Sequence, residues 1–287
     1  MDTIFEQAVK GDYAIDIPKN FDINQIFDCG QCFRFNRSES CDNTYNGIAF
    51  SKKLTITQKD GKVIFHNTSK EEFEKVWHTF FDLDTNYADV IGSFSDDRVL
   101  AEASAFSSGI RILRQDSWEA LCSFIISQNN NIPRIKGIIE HMSEKYGKPI
   151  ESESGIDGYS FPTPKALCDA GESGLFALKT GFRAKYIYDA ASKVESGEIN
   201  LSEIDKMKLE DALPALEAIK GVGPKVAACT LLFGFAKHDA FPIDVWVKRI
   251  LSSYYSDGAS HHFSEKNAGI AQQYLFYYER CKNNIFI

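Results

Sequence analysis

The chain has 287 residues, 44% of them hydrophobic and 25% charged, with a net charge of −8. This composition excludes an intrinsically disordered chain and leaves room for two or three subdomains around sizeable cores. The longest uncharged apolar runs are too short to cross a membrane, and the acidic balance argues against unaided electrostatic attraction to a polyanion, so a nucleic-acid partner would require the basic groups to be clustered.

Taken in chain order, Met1-Asp-Thr-Ile-Phe-Glu6 lacks a basic region followed by an apolar core, which gives the expectation of a cytosolic protein, or a nuclear one in a eukaryote. Tyr13-Ala-Ile-Asp-Ile17 alternates in polarity. Leu54-Thr-Ile-Thr57 and Val63-Ile-Phe65 flank Asp60-Gly61, a hairpin signal, so an antiparallel sheet is expected over residues 1 to about 70. Between these strands, Cys29-Gly-Gln-Cys32 matches the spacing of a redox or half-zinc motif. No second cysteine or histidine pair stands at ligand spacing, and seven cysteines in all fit a reducing compartment.

From Ser69 a helical period takes over, with Phe73, Trp77 and Phe80 on one face. Helices are expected over 117–127 and 132–146, with Asn129-Asn-Asn131 capping the end of one and the start of the next. Pro, Gly and Ser then interrupt the pattern around 147 to 164. The expected fold is α+β: an N-terminal antiparallel β-sheet subdomain followed by two helical subdomains that meet at a cleft, with residues 1–112 as the N-terminal domain and 113–287 as the second.

The most informative stretch is Leu216 to Leu232. Leu213, Leu216 and Ile219 recur at helical spacing, Gly221 and Gly223 allow a reversal or a close backbone approach, and Pro224 suits the first position of a new helix continued by Val226, Thr230 and Phe233. Free amides of such a hairpin make an anion site. A dinucleotide-binding reading fails because neither a preceding strand nor a third glycine is present, whereas a purely structural helix pair remains open. Lys225 falls in the first turn of the second helix, where the macrodipole and partial burial both disfavour a charged ammonium and favour the neutral amine that nucleophilic catalysis needs. A solvated surface lysine is the alternative. Asp244, in Phe241-Pro-Ile-Asp-Val245, reads either as the N-cap of a helix starting near Val245 or as a catalytic carboxylate, and the two roles are compatible.

The hairpin, Lys225 and Pro242-Ile-Asp244 resemble the helix-hairpin-helix, Gly/Pro-Asp superfamily of DNA glycosylases. Gly30-Gln-Cys-Phe-Arg34, Arg111-Ile-Leu-Arg-Gln-Asp116, Ser123-Phe-Ile-Ile-Ser-Gln-Asn-Asn-Asn131, Gly181-Phe-Arg-Ala-Lys-Tyr186 and Ala271-Gln-Gln-Tyr-Leu-Phe276 extend the resemblance, over nearly the whole chain, to the 8-oxoguanine DNA glycosylase family. The basic groups at or near these blocks are Arg111, Arg114, Arg134, Lys136, Lys179, Arg183, Lys185, Lys220 and Lys225, from which few phosphate contacts and a modest salt dependence are expected. The chain departs from its relatives in three places. Only Cys281 follows Asp244, so the iron-sulfur cluster of some superfamily members is not expected; Phe182 stands where tyrosine is common; and Trp246 stands where many relatives carry histidine.

The resemblance implies a bifunctional glycosylase and AP lyase acting as a monomer on double-stranded DNA that carries 8-oxoguanine opposite cytosine, with no metal or organic cofactor in the chemistry. It assigns Lys225 as nucleophile and Asp244 as electrostatic and proton-transfer partner. Cys229 and Phe276 would sandwich the extruded base, Gln272 would pair with its Watson–Crick edge, and the Gly30 carbonyl would accept the N7 hydrogen that 8-oxoguanine has and guanine lacks. Asn129, Arg134, Phe182 and Arg183 would fill and hold the vacated duplex, and Gly221 and Gly223 would meet the backbone. Taken singly, Cys229, Phe276 and Phe182 also suit a core, and Gln272 a helix surface. A glycosylase for other oxidised or alkylated purines, and a non-catalytic helix-hairpin-helix DNA-binding protein, are the competing readings; the first loses ground because monofunctional alkyl-base enzymes lack the lysine.

Overall fold

The alternating segments of the first third of the chain pair into one antiparallel sheet in the computed structural model, which describes residues 11–152, 155–256, 258 and 260–282. Met1 to Glu6, read above for a leader, lies outside the described residues. Strands β1 (Tyr13–Asp16), β2 (Phe35–Arg37), β3 (Thr44–Ala49), β4 (Lys52–Lys59) and β5 (Lys62–His66) run in the order β1-β5-β4-β3-β2, and α1 (Ile23–Asp28) lies between the first two in sequence. Lys59 pairs with Lys62 around Asp60 (φ 51°) and Gly61 (φ 77°), the two positive-φ positions of a tight hairpin. Alternation has its usual consequence: Leu54, Ile56, Val63 and Phe65 face inward and join Phe27, Phe35, Trp77, Phe80 and Phe81 in one aromatic-rich core.

Helices follow from Ser69, whose side chain caps α2 (Lys70–Glu72). A π-helical turn at Phe73–Trp77 leads into α3 (His78–Phe80), then α4 (Tyr87–Ser93), α5 (Arg98–Phe106), α6 (Ser117–Ser127) and α7 (Ile132–Tyr146). Residues around 147 to 164, read as a break, contain a small hairpin instead, β6 (Pro149–Ser152) with β7 (Gly155–Tyr159). Its glycines, serines and acidic residues lack the apolar alternation that marks a half-buried strand. Further along are α8 (Pro164–Leu175), α9 (Ala184–Glu195), α10 (Leu201–Lys206), α11 (Leu209–Glu217), α12 (Pro224–Gly234), α13 (Val245–Tyr254) and α14 (Ala268–Lys282). Helices from α4 onward share a second core, which also takes Cys29 and Phe33 from the N-terminal part. No helix among the described residues is long and apolar enough to cross a membrane.

A buried polar junction joins the two cores. The Arg111 guanidinium donates to the carbonyls of Lys19, Asn20, Phe81, Asp82 and Thr85 at 2.6–3.3 Å and sits 4.2 Å from the centre of the Tyr87 ring. Gln31, fully buried, donates to the carbonyls of Ile26 and Arg111 and accepts from the Leu113 amide, while Gln115 donates to the Gln31 carbonyl. Arg114 is held on Asp82 at 2.6 Å. Arg111 and Arg114, grouped above with the basic residues near the matching blocks, are therefore structural: their charge is spent on buried acceptors of the same chain.

Cys29 and Cys32 are buried free thiols; burial pushes Cys29 up to about 12, so the C-x-x-C spacing here presents neither a thiolate nor a disulfide. Replacing Arg111 by methionine should lower the unfolding free energy by about 3–5 kcal/mol, since five carbonyls would lose their donor, as read from the urea midpoint at unchanged m-value.

Candidate active site

Leucines at helical spacing bring α11 to Glu217, and the chain reverses through Ala218–Gly223 before Pro224 starts α12. Gly221 has φ +80°, and a methyl group there would run into the Tyr186 ring, so both the conformation and the space require glycine. Gly223 has an ordinary φ of −106° and open space where a Cβ would stand, with no other atom within 4 Å, so no internal contact demands glycine there. The Lys220 amide is already taken by Asp189 Oδ2 at 2.7 Å. Among the described residues the amides of Gly221, Gly223 and Lys225 have no protein acceptor, which leaves donors at the positive end of α12 for an anion.

Lys225, in the first turn of α12, is half-buried, with Nζ 5.5 Å from the centre of the Phe124 ring. Cys229, one turn later on the same face, is 5% exposed; burial raises its thiol pKa against the opposing influence of the Lys225 charge, which keeps it an uncharged wall. Asp244 caps α13: Oδ1 accepts from the amides of Trp246 and Val247 at 2.9 and 2.8 Å. Both bonds fall on one oxygen. Oδ2 has no protein partner among the described residues, so capping and a second role occupy different atoms.

From the two ends of the chain, Gly30 and α14 close the arrangement. Gly30, Lys225, Cys229, Asp244, Gln272 and Phe276 line one cavity of about 60 Å³, together with Phe124, Phe233, Pro242 and Gln273. Gln272 is 5% exposed, yet its Oε1 has no hydrogen-bond partner. A buried acceptor lining a cavity without a donor calls for a ligand that brings one. Arg280 stacks behind Phe276, its guanidinium 5.1 Å from the ring centre. Gly30 is set by its neighbours: Gln273 Nε2 donates to the Cys29 carbonyl at 2.9 Å, and Gln31 is locked in the polar junction.

A second group of expected residues stands at the α6–α7 turn. Asn129 is exposed with φ +51°, and Asn131 caps α7 by accepting from the Arg134 amide, while Asn130 donates to the Ile126 carbonyl. The capping pair is thus Asn130 and Asn131, which leaves Asn129 at the tip. Phe182 is 49% exposed, too open for a core position, and packs edge-on to Tyr186. Arg134 donates to the Lys179 carbonyl at 3.2 Å.

Arg183 departs from the expectation of an outward DNA contact. It is 2% exposed and donates to the carbonyls of Gln128, Asn129 and Thr180, so its guanidinium ties the Phe182 turn to the Asn129 turn from within. Lys136 also turns inward, with Nζ on the Phe35 carbonyl and Asn36 Oδ1.

Gln31, Gln273, Phe124 and Asp189 also support or line the site, without a signal in the local sequence pattern. Gln273 stands next to Gln272 in α14, and the sequence does not tell which of the two turns toward the core.

Residues 14–121 match the family described as the 8-oxoguanine DNA glycosylase N-terminal domain, and residues 122–269 match the HhH-GPD superfamily of base excision DNA repair proteins. The chain is 40% identical to the Clostridium acetobutylicum 8-oxoguanine glycosylase/lyase, solved with double-stranded DNA containing cytosine opposite 8-oxoG; the match covers 99% of this chain and 100% of that one, with a TM-score of 0.89. It is 41% identical to MBOgg1, solved with a low-affinity DNA ligand, over 95% of this chain and 96% of that one, with a TM-score of 0.88. The N-glycosylase/DNA lyase of Arabidopsis thaliana is 30% identical over 79% of this chain, a region spanning 64% of that protein's length.

The two hairpin glycines should separate in a stability measurement. Gly221→Ala meets the Tyr186 ring at a positive φ and should cost about 1–3 kcal/mol in a thermal or urea melt, whereas Gly223→Ala should stay within about 0.5 kcal/mol of the parent.

Proposed function

The chain belongs to the 8-oxoguanine DNA glycosylase family of the helix-hairpin-helix superfamily, and from that premise we propose that it excises 8-oxoguanine from duplex DNA, opposite cytosine, and cleaves the resulting strand. The observation that carries this reading is the cavity itself. A lysine, a carboxylate with one unengaged oxygen, and a buried glutamine with an unpartnered Oε1 line the same space as an aromatic ring and a thiol. A damaged purine cannot react inside the stack, so it must be extruded into such a pocket. Gln272 Oε1 meets the N–H donors of its Watson–Crick edge, Phe276 and Cys229 flank its faces, and the Gly30 carbonyl accepts its N7 hydrogen. Guanine presents a lone pair there, leaving two acceptors face to face at about 1–3 kcal/mol.

In the reaction, Lys225 attacks as the free amine. The bond from Nζ to the sugar C1′ forms as the C1′–N9 bond breaks and its electron pair leaves with the base, which then takes up a proton; Asp244 Oδ2 stabilises the positive charge that develops on the sugar. Ring opening gives a Schiff base, and β-elimination breaks the strand on the 3′ side. Asn129 at its exposed tip occupies the space left by the base, with Phe182 wedged beside it and Arg134 toward the orphaned cytosine. Arg183 acts by holding the Asn129 carbonyl rather than by touching phosphate. The free hairpin amides, Gly223 above all, take the phosphate backbone, which explains a glycine with no internal need to be one. Trp246, stacked under the Arg249 guanidinium at 4.8 Å, replaces the hydrogen-bonding side chain of many relatives with an aromatic face. The enzyme works as a monomer, where the genome is, in nucleoid or nucleus.

Borohydride reduction of a duplex containing 8-oxoguanine opposite cytosine should trap a covalent adduct with the parent protein and none with Lys225→Gln; an undiminished adduct in the variant would overturn the mechanism, and DNA binding with no adduct in either would leave a non-catalytic binding protein. Asparagine caps as well as aspartate, so Asp244→Asn should keep its melting temperature and DNA affinity while losing about 100-fold or more in excision rate, whereas unchanged turnover would reduce Asp244 to a cap. Gln272→Leu should lower kcat/KM for 8-oxoguanine by about 10–100-fold.

A further inference from the structure

Two adjacent histidines, His261 and His262, stand in the short 3-10 turn His261–Ser264 that leads from α13 to α14, well outside the cavity described above. His262 is 3% exposed, with its ring edge-on to Phe94. Its Nε2 lies 2.7 Å from Asp96 Oδ1, in the turn between α4 and α5, and its Nδ1 lies 3.3 Å from Glu265 Oε2. His261 Nε2 is 3.5 Å from Asp96 Oδ2 and 3.8 Å from Glu265 Oε1. One donor atom each from Asp96, His261 and His262 lies within 4.8 Å of the other two.

A neutral imidazole has one N–H and one lone pair. If His262 gives its Nδ1–H to Glu265, its Nε2 lone pair faces a carboxylate oxygen at hydrogen-bond distance, and His261 presents a second imidazole nitrogen to the other oxygen of the same carboxylate. In the other tautomer the Nε2–H donates to Asp96; a divalent cation takes the place of that single proton and engages both imidazoles and the carboxylate at once. A carboxylate on the far nitrogen of a histidine is also the usual device that fixes the tautomer of a metal-ligating imidazole. Two imidazoles and one carboxylate form a borderline donor set, suited to zinc, cobalt or nickel and poor for magnesium or calcium, which prefer all-oxygen shells.

We propose that Asp96, His261 and His262 bind a borderline divalent transition cation, with Zn2+ as the reference ion, and that Glu265 orients His262 for it. The site would clamp the turn before α5 to the foot of α14, the helix that carries Gln272 and Phe276, and it takes no part in the chemistry of the cavity.

The test is calorimetric titration of ZnCl2 into chelator-treated protein. One equivalent should bind, MgCl2 and CaCl2 should give no saturable heat at the same concentration, and Asp96→Asn and His261→Ala should each weaken Zn2+ binding by about 10-fold or more. Both altered side chains are exposed, so the fold should survive. Saturating Zn2+ should also raise the melting temperature of the parent by a few degrees and leave that of His261→Ala unmoved. Absence of saturable Zn2+ binding, binding undiminished in both variants, or binding lost on replacing the exposed thiol in Cys41→Ser would overturn the proposal.

Discussion

A single buried amide, Gln31, holds the two halves of the molecule in register. It joins α1, the Arg111 segment and the strand of chain entering α6, and the neighbouring Cys29 carbonyl is gripped by Gln273 from α14. The donors and acceptors of this set are matched, and all but the half-buried Gln115 are buried, so shifting a buried member would strand a polar group at about 1–3 kcal/mol. Gly30 lies in the middle. Its place in the lining of the cavity is fixed because the residues on either side of it cannot move independently of the sheet or of the last helix.

The opposite wall of the cavity is set by helix ends. The first turn of α12 carries Lys225 above amides without internal acceptors, and the first turn of α13 carries Asp244, whose capping bonds fix its carboxylate without engaging both oxygens. Both side chains stand at helix N-termini, where unpaired amides and the positive end of the dipole face the same space. The same local physics that starts two helices thus prepares two reactive groups.

The basic residues show how an acidic protein can still offer a surface to DNA. Arg111, Arg114, Arg183 and Lys136 are engaged with acceptors of the chain itself, whereas the hairpin offers free backbone amides beside Lys220 and Lys225. Arg183 in particular couples two turns, placing exposed Phe182 beside exposed Asn129, and its contribution is one of geometry.

An N-terminal antiparallel sheet with the strands around Tyr13, Leu54 and Val63, the Asp60-Gly61 hairpin, helices α6 and α7 and the hairpin before α12 were all legible in the sequence, because period-2 and period-3.6 patterns and positive-φ glycines are dictated by contacts a few residues apart; strands β2 and β3, which complete the sheet, carry no such pattern. The small β6–β7 hairpin was not legible either, for lack of one. Lys225 and Cys229 could be placed on one face by helix geometry alone, and Asp244 at the start of the next helix by capping. That Gly30 and Gln272, near opposite ends of the chain, line the same cavity as these three was decided only by the tertiary structure, as was the turning inward of Arg111, Arg114 and Arg183. A long polar side chain has no periodic signature. Its partner is whichever buried acceptor the packed cores leave unsatisfied, and that is a property of the whole chain.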